Sequence, residues 1–330
     1  MRILYAIQGT GNGHLARAED VVPVLRTKGQ VDIFISGAQA DLTLPYEVKF
    51  RSKGLSFYFG KNGGVDIAKT IKKNNTRSIY SDIQNFPIHQ YDVVINDFEP
   101  ISAWAARLKN IPCVGLSHQA SLLSKKTPKP DHYDLVGAWI LKNYAPATAH
   151  IGFHFKEFDD NIFTPVIRSR VRSSKVSDKG HYTVYLPAYD DKKLVPLLGQ
   201  LNNVQWHVFS KHSQVAYRDK GISVFPINNE QFMASMSSAK GVLCGAGFET
   251  PAEALFLNKK LMVVPMKKQY EQHYNAAALK QLGVPVLKKV SKKRIVAIQE
   301  WLETDERVAA QYDDKTEMAV VQALNSASTV

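Results

Sequence analysis

Short apolar runs alternate with helical stretches along this chain, and the alternation starts a second time near residue 180. The first run, Ile3–Ile7, ends in a glycine-rich turn, and apolar residues from Leu15 to Leu25 then recur at helical spacing, with a kink expected at Pro23. Further strand signals lie at 31–35, 93–95, 112–116, 182–186, 205–209, 222–226, 241–244 and 261–264. Buried strands separated by helices are typical of parallel sheets. The pattern predicts an α/β chain with two doubly wound, Rossmann-like domains.

The segment 165–180 interrupts this pattern. It contains the basic, serine-rich run Arg168–Lys175, which indicates either the approach to an interdomain linker or a solvated loop. We therefore expect an N-terminal domain over 1–165 and a C-terminal domain over 166–330, whose last helix packs back on the N-terminal domain. Doubly wound sheets bind ligands beyond the carboxyl ends of their strands, so we expect the two domains to face each other across a cleft.

The charge of the chain favours an anionic partner. Lys and Arg total 42 against 30 Asp and Glu, a formal net charge of +12. The basic clusters are Lys69–Lys73, Lys125–Lys126, Arg168–Lys175 and Lys288–Arg294. No nucleic-acid-binding motif accompanies them, so we expect no nucleic-acid partner. Leu122-Leu123 beside Lys125-Lys126 suits an anionic membrane face, and an anionic glycan is an equal alternative.

Cysteine content and hydropathy bear on the compartment. Cys113 and Cys244 are the only two cysteines, which excludes a disulfide framework and argues against a zinc site. The apolar run at the N-terminus is too short for a signal peptide, and no run approaches the roughly 18 residues of a spanning helix. We expect a cytoplasmic protein that is soluble or peripheral on the inner face of the membrane.

The first glycine turn runs Gly9-Thr10-Gly11-Asn12-Gly13 and is followed by His14. Its spacing differs from G-x-G-x-x-G, and the second strand ends without an acidic residue, so a dinucleotide site is disfavoured. No Gly-Lys-Ser/Thr follows, so a Walker A loop is absent. The turn can still hold an oxyanion on backbone N–H groups. His14 is a candidate general base; alternatively it only caps or packs the turn.

The second glycine turn, Gly245-Ala246-Gly247, leads into a helix near Thr250. Thr250 as N-cap with Glu253 three residues later predicts a capping box, which is a purely structural account. A functional account adds a diphosphate at the helix start and ribose hydroxyls on Glu253. A polar loop follows the next strand and contains Glu271-Gln272, a pair suited to sugar hydroxyls.

These motifs together resemble the GT-B glycosyltransferases of families 1 and 28, which include the peptidoglycan N-acetylglucosaminyltransferase. The donor half is similar in Gly-x-Gly-x-x-Thr-x-x-Glu-Ala-Leu followed by Glu-Gln-x-x-Asn-Ala, and the turn ending in His14 is similar to the family 28 turn. Asn96–Pro100, Ile111-Pro112 and Ser117–Gln119 resemble a prokaryotic subgroup. The resemblance spans roughly 1–290. It departs at Asn12, where glycine is usual, and at Leu186–Tyr189, where a Gly-Gly-Ser turn is usual.

The resemblance implies a role for each matched residue. His14 would be the general base or an acceptor contact, and Asp97 would orient it or be the base itself. The residues implied to hold the donor are Gly245, Gly247, Phe248, Glu249 and Thr250 for the diphosphate, Glu253 for the ribose, and Glu271 and Gln272 for the sugar. The residues implied to form an acceptor or phosphate loop are Gly11, Asn12, Gly13 and His118.

The expected activity is inverting, metal-independent transfer of a sugar from a nucleotide-sugar, UDP-linked by family analogy, to a hydroxyl acceptor that is lipid-linked or an anionic glycan. No cofactor and no metal are expected, and Asp97-Phe98-Glu99 is interpreted as strand-end acids rather than a manganese site. A retaining enzyme needs two glutamates eight positions apart, which the donor turn lacks. A nucleotide-sugar epimerase and a non-catalytic sugar-nucleotide- or glycan-binding protein remain alternatives. The sugar, the acceptor and the oligomeric state stay open.

Overall fold

The computed structural model describes residues 1–37, 44–54, 76–131, 134–267 and 269–328. They form two compact units. Unit 1 comprises 1–127, 132–168 and 313–330, and unit 2 comprises 128–131 and 169–312. Each unit contains its own mainly parallel sheet, so the fold is α/β with two doubly wound, Rossmann-like domains. The basic cluster Lys69–Lys73 lies outside the described residues.

Unit 1 is built on a seven-stranded sheet in the order β3-β2-β1-β4-β5-β6-β7, with every described pairing parallel. Its strands are β1 (Arg2–Gln8), β2 (Gln30–Ser36), β3 (Phe50–Ser52), β4 (Val93–Asp97), β5 (Cys113–Ser117), β6 (Ala149–Phe153) and β7 (Ile162–Phe163). Its helices are α1 (Asn12–Arg26), α2 (Thr76–Asn85), α3 (Pro100–Leu108), α4 (His118–Ser121) and α5 (Leu135–Asn143). The final helix of the chain, numbered α12 below, also belongs to this unit.

The order of the strands reverses between β1 and β4, which pair in register with Ile7 opposite Asp97. Loops leaving two adjacent parallel strands in opposite directions open a crevice at such a switch point. The glycine turn after β1 and the acidic turn after β4 therefore start from neighbouring positions on one edge of the sheet. Helix α1 is anchored below this edge by its buried apolar stripe, which includes Leu15, Val22 and Leu25.

Helix α1 continues through Pro23 to Arg26, and the kink expected at Pro23 stays a prediction. Proline has no N–H to donate to the carbonyl of Glu19 four residues earlier. The hydroxyl of Tyr46 donates to that carbonyl instead, at 2.9 Å. A partner from outside the helix thus satisfies the backbone group that Pro23 leaves unpaired.

Unit 2 repeats the topology in a six-stranded sheet of order β10-β11-β9-β8-β12-β13, where only the β10–β11 pairing is antiparallel among those described. Its strands are β8 (His181–Tyr185), β9 (Gln205–Ser210), β10 (Tyr217–Asp219), β11 (Ile222–Pro226), β12 (Gly241–Gly245) and β13 (Lys260–Val264). Its helices are α6 (Ser169–Arg172), α7 (Asp191–Leu198), α8 (Asn229–Ser238), α9 (Glu249–Phe256), α10 (Tyr270–Gln281) and α11 (Ile295–Glu303). Here the order reverses between β8 and β12.

The C-terminal stretch contains two separate helices. It holds α11 and then α12 (Thr316–Ala327), with non-helical chain from 304 to 315 between them. Helix α12 packs against α1, β5 and β6 of unit 1. Val286 forms a single parallel bridge with Val263 of β13. No helix within the described ranges is both long enough and apolar enough to span a bilayer.

Candidate active site

The glycine turn after β1 is a tight connection that leaves the start of α1 open. The N–H of Gly9 donates to the carbonyl of Ser36 at 2.7 Å, and a Cβ at Gly9 would lie 2.9 Å from Ile35. Gly11 is the N-cap of α1 with φ +97°, and no side chain caps the helix. The fold itself thus requires glycine at these two positions.

Asp97 is the last residue of β4, and the sharp turn that follows is held in place by its neighbouring residues. Phe98 follows with φ +57°, the left-handed conformation that non-glycine residues rarely adopt. The Asn96 side chain holds this turn, since it donates to the Glu99 carbonyl at 2.7 Å and accepts from the Glu99 N–H at 2.9 Å. This clamp fixes the point from which the Asp97 carboxylate leaves the sheet.

Glu99 is the buried N-cap of α3. Its carboxylate accepts from the N–H groups of Ile101 and Ser102 at 2.8 and 2.7 Å and from the hydroxyl of Ser36 at 2.5 Å. Burial raises the pKa of Glu99, and these hydrogen bonds oppose the rise. The Glu99 carboxylate is thus occupied by the helix start and by the end of β2. No group of three His, Cys, Asp or Glu side chains arranged for a metal ion occurs in the described part of the chain.

His14, Arg17 and Asp97 form a compact buried cluster at the edge of the sheet. His14 Nδ1 lies 2.8 Å from Asp97 Oδ1. Arg17 Nη2 lies 2.8 and 2.9 Å from the two carboxylate oxygens, and its Nε lies 3.2 Å from Oδ2. Asp97 is 0% exposed and Arg17 2%, while His14 is 12% exposed. Only the histidine of the three is open to solvent.

The charges in this cluster decide the protonation of Asp97. Burial alone raises the pKa of a carboxyl, but the Arg17 guanidinium and His14 hold the pKa of Asp97 below its usual value. An ionised Asp97 only accepts hydrogen bonds, so His14 donates its Nδ1–H to it. The lone pair on His14 then resides on Nε2, which makes no hydrogen bond to any described residue. The arrangement presents an oriented, partly exposed imidazole beside a fully buried carboxylate.

Arg17 is the member of this cluster that the sequence analysis missed. The sequence feature that could have identified Arg17 is its position three residues after His14, because residues at i and i+3 lie on the same face of a helix. Nothing in the local sequence shows that this face meets the end of β4, 80 residues later.

His118, predicted as part of an acceptor loop, begins α4 directly after β5. Its side chain is buried, and its Nδ1 lies 2.8 Å from the carbonyl of Phe153. The ring also meets His154 edge-on, with centroids 5.1 Å apart. This hydrogen bond ties the end of β5 to the end of β6. A direct contact between His118 and an acceptor stays a prediction.

The second glycine turn lies at the switch point of unit 2, between the carboxyl end of β12 and the start of α9. The predicted capping box at Thr250 and Glu253 is wrong, because α9 begins at Glu249 with Phe248 as N-cap and no side-chain cap. Phe248 already has helical dihedrals, φ −89° and ψ −53°, so helical structure starts before Thr250. Pro251 is accommodated because the N–H groups of the first turn have no partner within a helix.

Gly247 is a glycine that the fold of unit 2 does not require. No described atom lies within 4 Å of a Cβ built on it, and its φ is outside the left-handed region. Gly241 in the same unit contrasts with it, since a Cβ there would lie 2.9 Å from the Lys260 carbonyl. At Gly245 the nearest atom would be Gln272 Oε1, at 3.7 Å. The open space over Gly247 allows a ligand to approach the backbone closely.

The predicted sugar-binding loop is held to this turn by α10. Gln272 accepts from the Met266 N–H at 2.8 Å, and Asn275 donates from its amide to the Ala246 carbonyl at 3.1 Å. Glu271 precedes Gln272 in the first turn of α10 and is partly exposed. Asn275 is fully buried, so its role in the Glu-Gln-x-x-Asn pattern is to join the two loops.

Glu253 lies one turn into α9 and is 2% exposed. Its predicted contact with ribose stays untested.

Residues 287–290 form a basic segment near the carboxyl ends of the strands of unit 2. The Leu287 N–H donates to the Val263 carbonyl at 2.9 Å, and the Val290 N–H donates to the Tyr189 hydroxyl at 3.0 Å. Tyr189 belongs to the turn after β8 that departs from the family 28 pattern. The exposed Lys288 and Lys289 therefore sit between two anchors near the carboxyl ends of β13 and β8.

The apolar patch predicted at Leu122-Leu123 is corrected by the structure, since Leu122 is buried and Leu123 partly buried. The neighbouring Lys126 pairs with Asp159 at 2.6 Å. Exposed apolar side chains occur instead on α5, where Leu135 is 74% and Trp139 67% exposed.

Comparisons with known proteins agree with this architecture. The family described as "Glycosyl transferase family 1" matches residues 1–304. No curated protein sequence matches the chain significantly. Among solved structures, the glycotransferase of kitacinnamycin is 14% identical with a TM-score of 0.58, covering 99% of this chain and 95% of that one. MurG of Acinetobacter baumannii is 17% identical with a TM-score of 0.56, covering 99% and 97%.

A further similar structure is Arabidopsis thaliana UGT89C1 in complex with UDP, 12% identical with a TM-score of 0.58, covering 98% of this chain and 94% of that one. At these identities the structural matches bear on the fold, and the family match bears on the activity. The chain belongs to glycosyl transferase family 1, and it is a glycosyltransferase with the GT-B fold.

Proposed function

We propose that this glycosyltransferase inverts the anomeric configuration of a UDP-linked sugar and transfers it to a hydroxyl acceptor, with His14 as the general base. The observation that carries the proposal is the His14–Asp97 pair at 2.8 Å, in which the carboxylate is buried and the imidazole is open. A general base needs an oxygen or nitrogen that can accept the substrate proton, whereas Asp97 is fully buried and both of its oxygens already accept hydrogen bonds from His14 or Arg17. Of the two candidate bases, His14 is therefore favoured, and Asp97 orients it.

The proposed step is a single displacement. His14 Nε2 takes the proton of the acceptor hydroxyl as its oxygen forms a bond to the anomeric carbon. The bond from that carbon to the diphosphate oxygen breaks, and its electron pair leaves with UDP. Asp97 stays ionised throughout and offsets the charge that develops on the imidazole.

The donor is proposed to bind to unit 2 at the start of α9. Negative charge grows on the diphosphate as it leaves, so N–H donors and cations aimed at it lower the barrier. Gly245 and Gly247 allow the backbone to approach the diphosphate, and α9 contributes the positive end of its dipole from Phe248, Glu249 and Thr250. The remaining proposed donor contacts are Glu253 to the ribose, Glu271 and Gln272 to the sugar, and the exposed Lys288 and Lys289 to the phosphates. This arrangement supports transfer without a metal ion.

The acceptor is proposed to be lipid-linked, with unit 1 resting on an anionic membrane. Leu135, Val136 and Trp139 are exposed together on α5, at positions that share one side of the helix. Tryptophan and leucine next to cationic side chains are typical of surfaces that insert shallowly into a lipid interface. The exposed Lys142 lies on the same helix, and the net charge of +12 adds attraction to anionic lipid.

The test is to incubate the protein with a panel of nucleotide sugars and a mixture of lipid-linked and anionic glycan acceptors. We expect UDP release that depends on acceptor, and a product whose anomeric configuration by NMR is opposite to that of the donor. His14→Ala should lower kcat by roughly 10²–10⁴-fold while UDP affinity remains. His89→Ala is the matched control, because His89 is exposed and precedes the amino end of β4.

Other outcomes would select the alternatives. An epimerised donor formed without acceptor would indicate a nucleotide-sugar epimerase. Donor binding without any turnover, equal in wild-type and H14A, would indicate a binding protein. Retention of configuration would contradict His14 as a base in a single displacement.

A further inference from the structure

We propose that Arg17 is a positioning residue that fixes Asp97 and compensates part of its charge, and so limits how strongly this carboxylate favours a proton on His14. The proposal rests on the proposed role of His14 as general base, and it adds a residue that neither the motif nor the family match assigns. It follows from the geometry of the buried cluster in unit 1.

Arg17 donates hydrogen bonds to both carboxylate oxygens of Asp97. Its Nη2 contacts both oxygens, at 2.8 and 2.9 Å, and its Nε adds a contact of 3.2 Å to Oδ2. Because His14 also donates a hydrogen bond to Oδ1, both oxygens of the Asp97 carboxylate accept hydrogen bonds from protein groups. A guanidinium paired with a carboxylate in this fork is strongly oriented and stays charged. Asp97 is therefore held in place, and part of its negative charge is compensated by Arg17.

Arg17 also opposes a positive charge on His14 directly. Its Nη2 lies 3.2 Å from His14 Nδ1. That nitrogen already donates to Asp97, so this contact brings two donors together rather than forming a hydrogen bond. Protonation of His14 would place an imidazolium beside a buried guanidinium, and like charges at this distance disfavour the charged form. A lone carboxylate would have the opposite effect, because it favours the imidazolium.

The other titratable groups near the pair are turned elsewhere. Glu99, on the same turn as Asp97, accepts from the start of α3 and from Ser36. His118, from the end of the neighbouring β5, is directed at the Phe153 carbonyl. Glu317 of α12 pairs with Lys28, beyond the opposite end of α1. Arg17 is thus the charged group in described contact with both members of the pair.

The test follows the protonation of His14 by NMR in the full-length protein without donor or acceptor. The C2 proton of His14, assigned with H14Q, is titrated in wild-type, R17M, D97N and the R17M/D97N double variant. We expect the midpoint of His14 protonation to rise by about one pH unit or more in R17M, because an uncompensated carboxylate then faces the ring. In R17M/D97N the midpoint should fall back by a similar amount, since that carboxylate is gone.

The double variant keeps the proposal testable if R17M does not fold, because it removes both buried charges together and leaves neither unpaired. Comparison of D97N with R17M/D97N then isolates Arg17: its guanidinium should lower the midpoint by about one unit. An unchanged midpoint in R17M, with melting still cooperative, or equal midpoints in D97N and the double variant, would overturn the proposal. Neither measurement uses substrate, so a failure of sugar transfer is distinguishable from a failure of this inference.

Discussion

Substituting Gly247 by alanine separates the proposed ligand-binding role of the second glycine turn from its structural role. The added methyl group would meet no described atom within 4 Å, and the backbone there does not adopt a positive φ. Alanine at Gly241, by contrast, would place its Cβ 2.9 Å from the Lys260 carbonyl and 2.9 Å from the Tyr182 ring. Both glycines belong to the β12–α9 region of unit 2, so G241A is a matched control for G247A.

The expected effects on stability differ in sign. Replacing glycine by alanine where the native backbone tolerates it stabilises a protein by about 0.4–1 kcal/mol, because the unfolded chain loses freedom. G247A should therefore leave the Tm unchanged or raise it by a few degrees. Overpacking costs about 1–3 kcal/mol, which for a domain of this size lowers the Tm by very roughly 2–12 °C in G241A.

The expected effects on ligand binding run the other way. A methyl group over the turn would hold a diphosphate away from the N–H groups at the start of α9, and the loss of one charge-assisted hydrogen bond is worth about 1.5–3 kcal/mol. Isothermal titration with UDP should show affinity at least about tenfold weaker for G247A, and nearly unchanged for folded G241A. UDP affinity that is equal in G247A and wild-type would refute the placement of the diphosphate over Gly247.

Two further predictions concern acid stability and the membrane. His207 stacks on His181 with ring centroids 3.9 Å apart, and burial followed by the charge of His181 lowers the pKa of His207 to about 4. In the unfolded chain, His207 binds its proton at about pH 6.5. The contribution of His207 to the free energy of unfolding should therefore be constant above that pH. It should fall by about 1–2 kcal/mol, after allowance for partial exposure, as the pH is lowered to about 4. Urea unfolding should show a smaller fall for H207Q, and an equal fall would contradict this origin. Trp139→Ser with Leu135→Ser should reduce sedimentation with anionic vesicles several-fold without lowering UDP affinity; undiminished sedimentation would rule out α5 as the contact.

Much of the fold was predictable because its signals are local. Strand and helix periods are repeated within a few residues, so the alternation that predicts two doubly wound sheets survives errors at individual boundaries. The capping box at Thr250 failed for a related reason. The local sequence allows more than one helix start, and α9 begins at Glu249 with the buried Phe248 as its N-cap.

The site was only half predictable, because its geometry depends on pairings remote in sequence. His14 and Asp97 were found through motifs, but their contact joins residues 83 apart. Arg17 carried no motif at all. The exposed apolar face of α5 also escaped prediction, since Leu122-Leu123 looks equally apolar in the sequence and only tertiary packing buries Leu122.

Both switch points place the start of a helix beside the carboxyl end of a strand, but the charged side chains at the two places differ. In unit 2 the start of α9 is the proposed anion site, and the exposed lysines at 288 and 289 add to the positive potential of this edge. In unit 1 the start of α1 carries His14, and both the helix dipole and Arg17 oppose a proton on that ring. Asp97 is the countercharge that still allows His14 to accept a proton during transfer. Arg17 and Asp97 thus act on the imidazole with opposite charges, and loss of one should have the opposite effect on His14 to loss of the other.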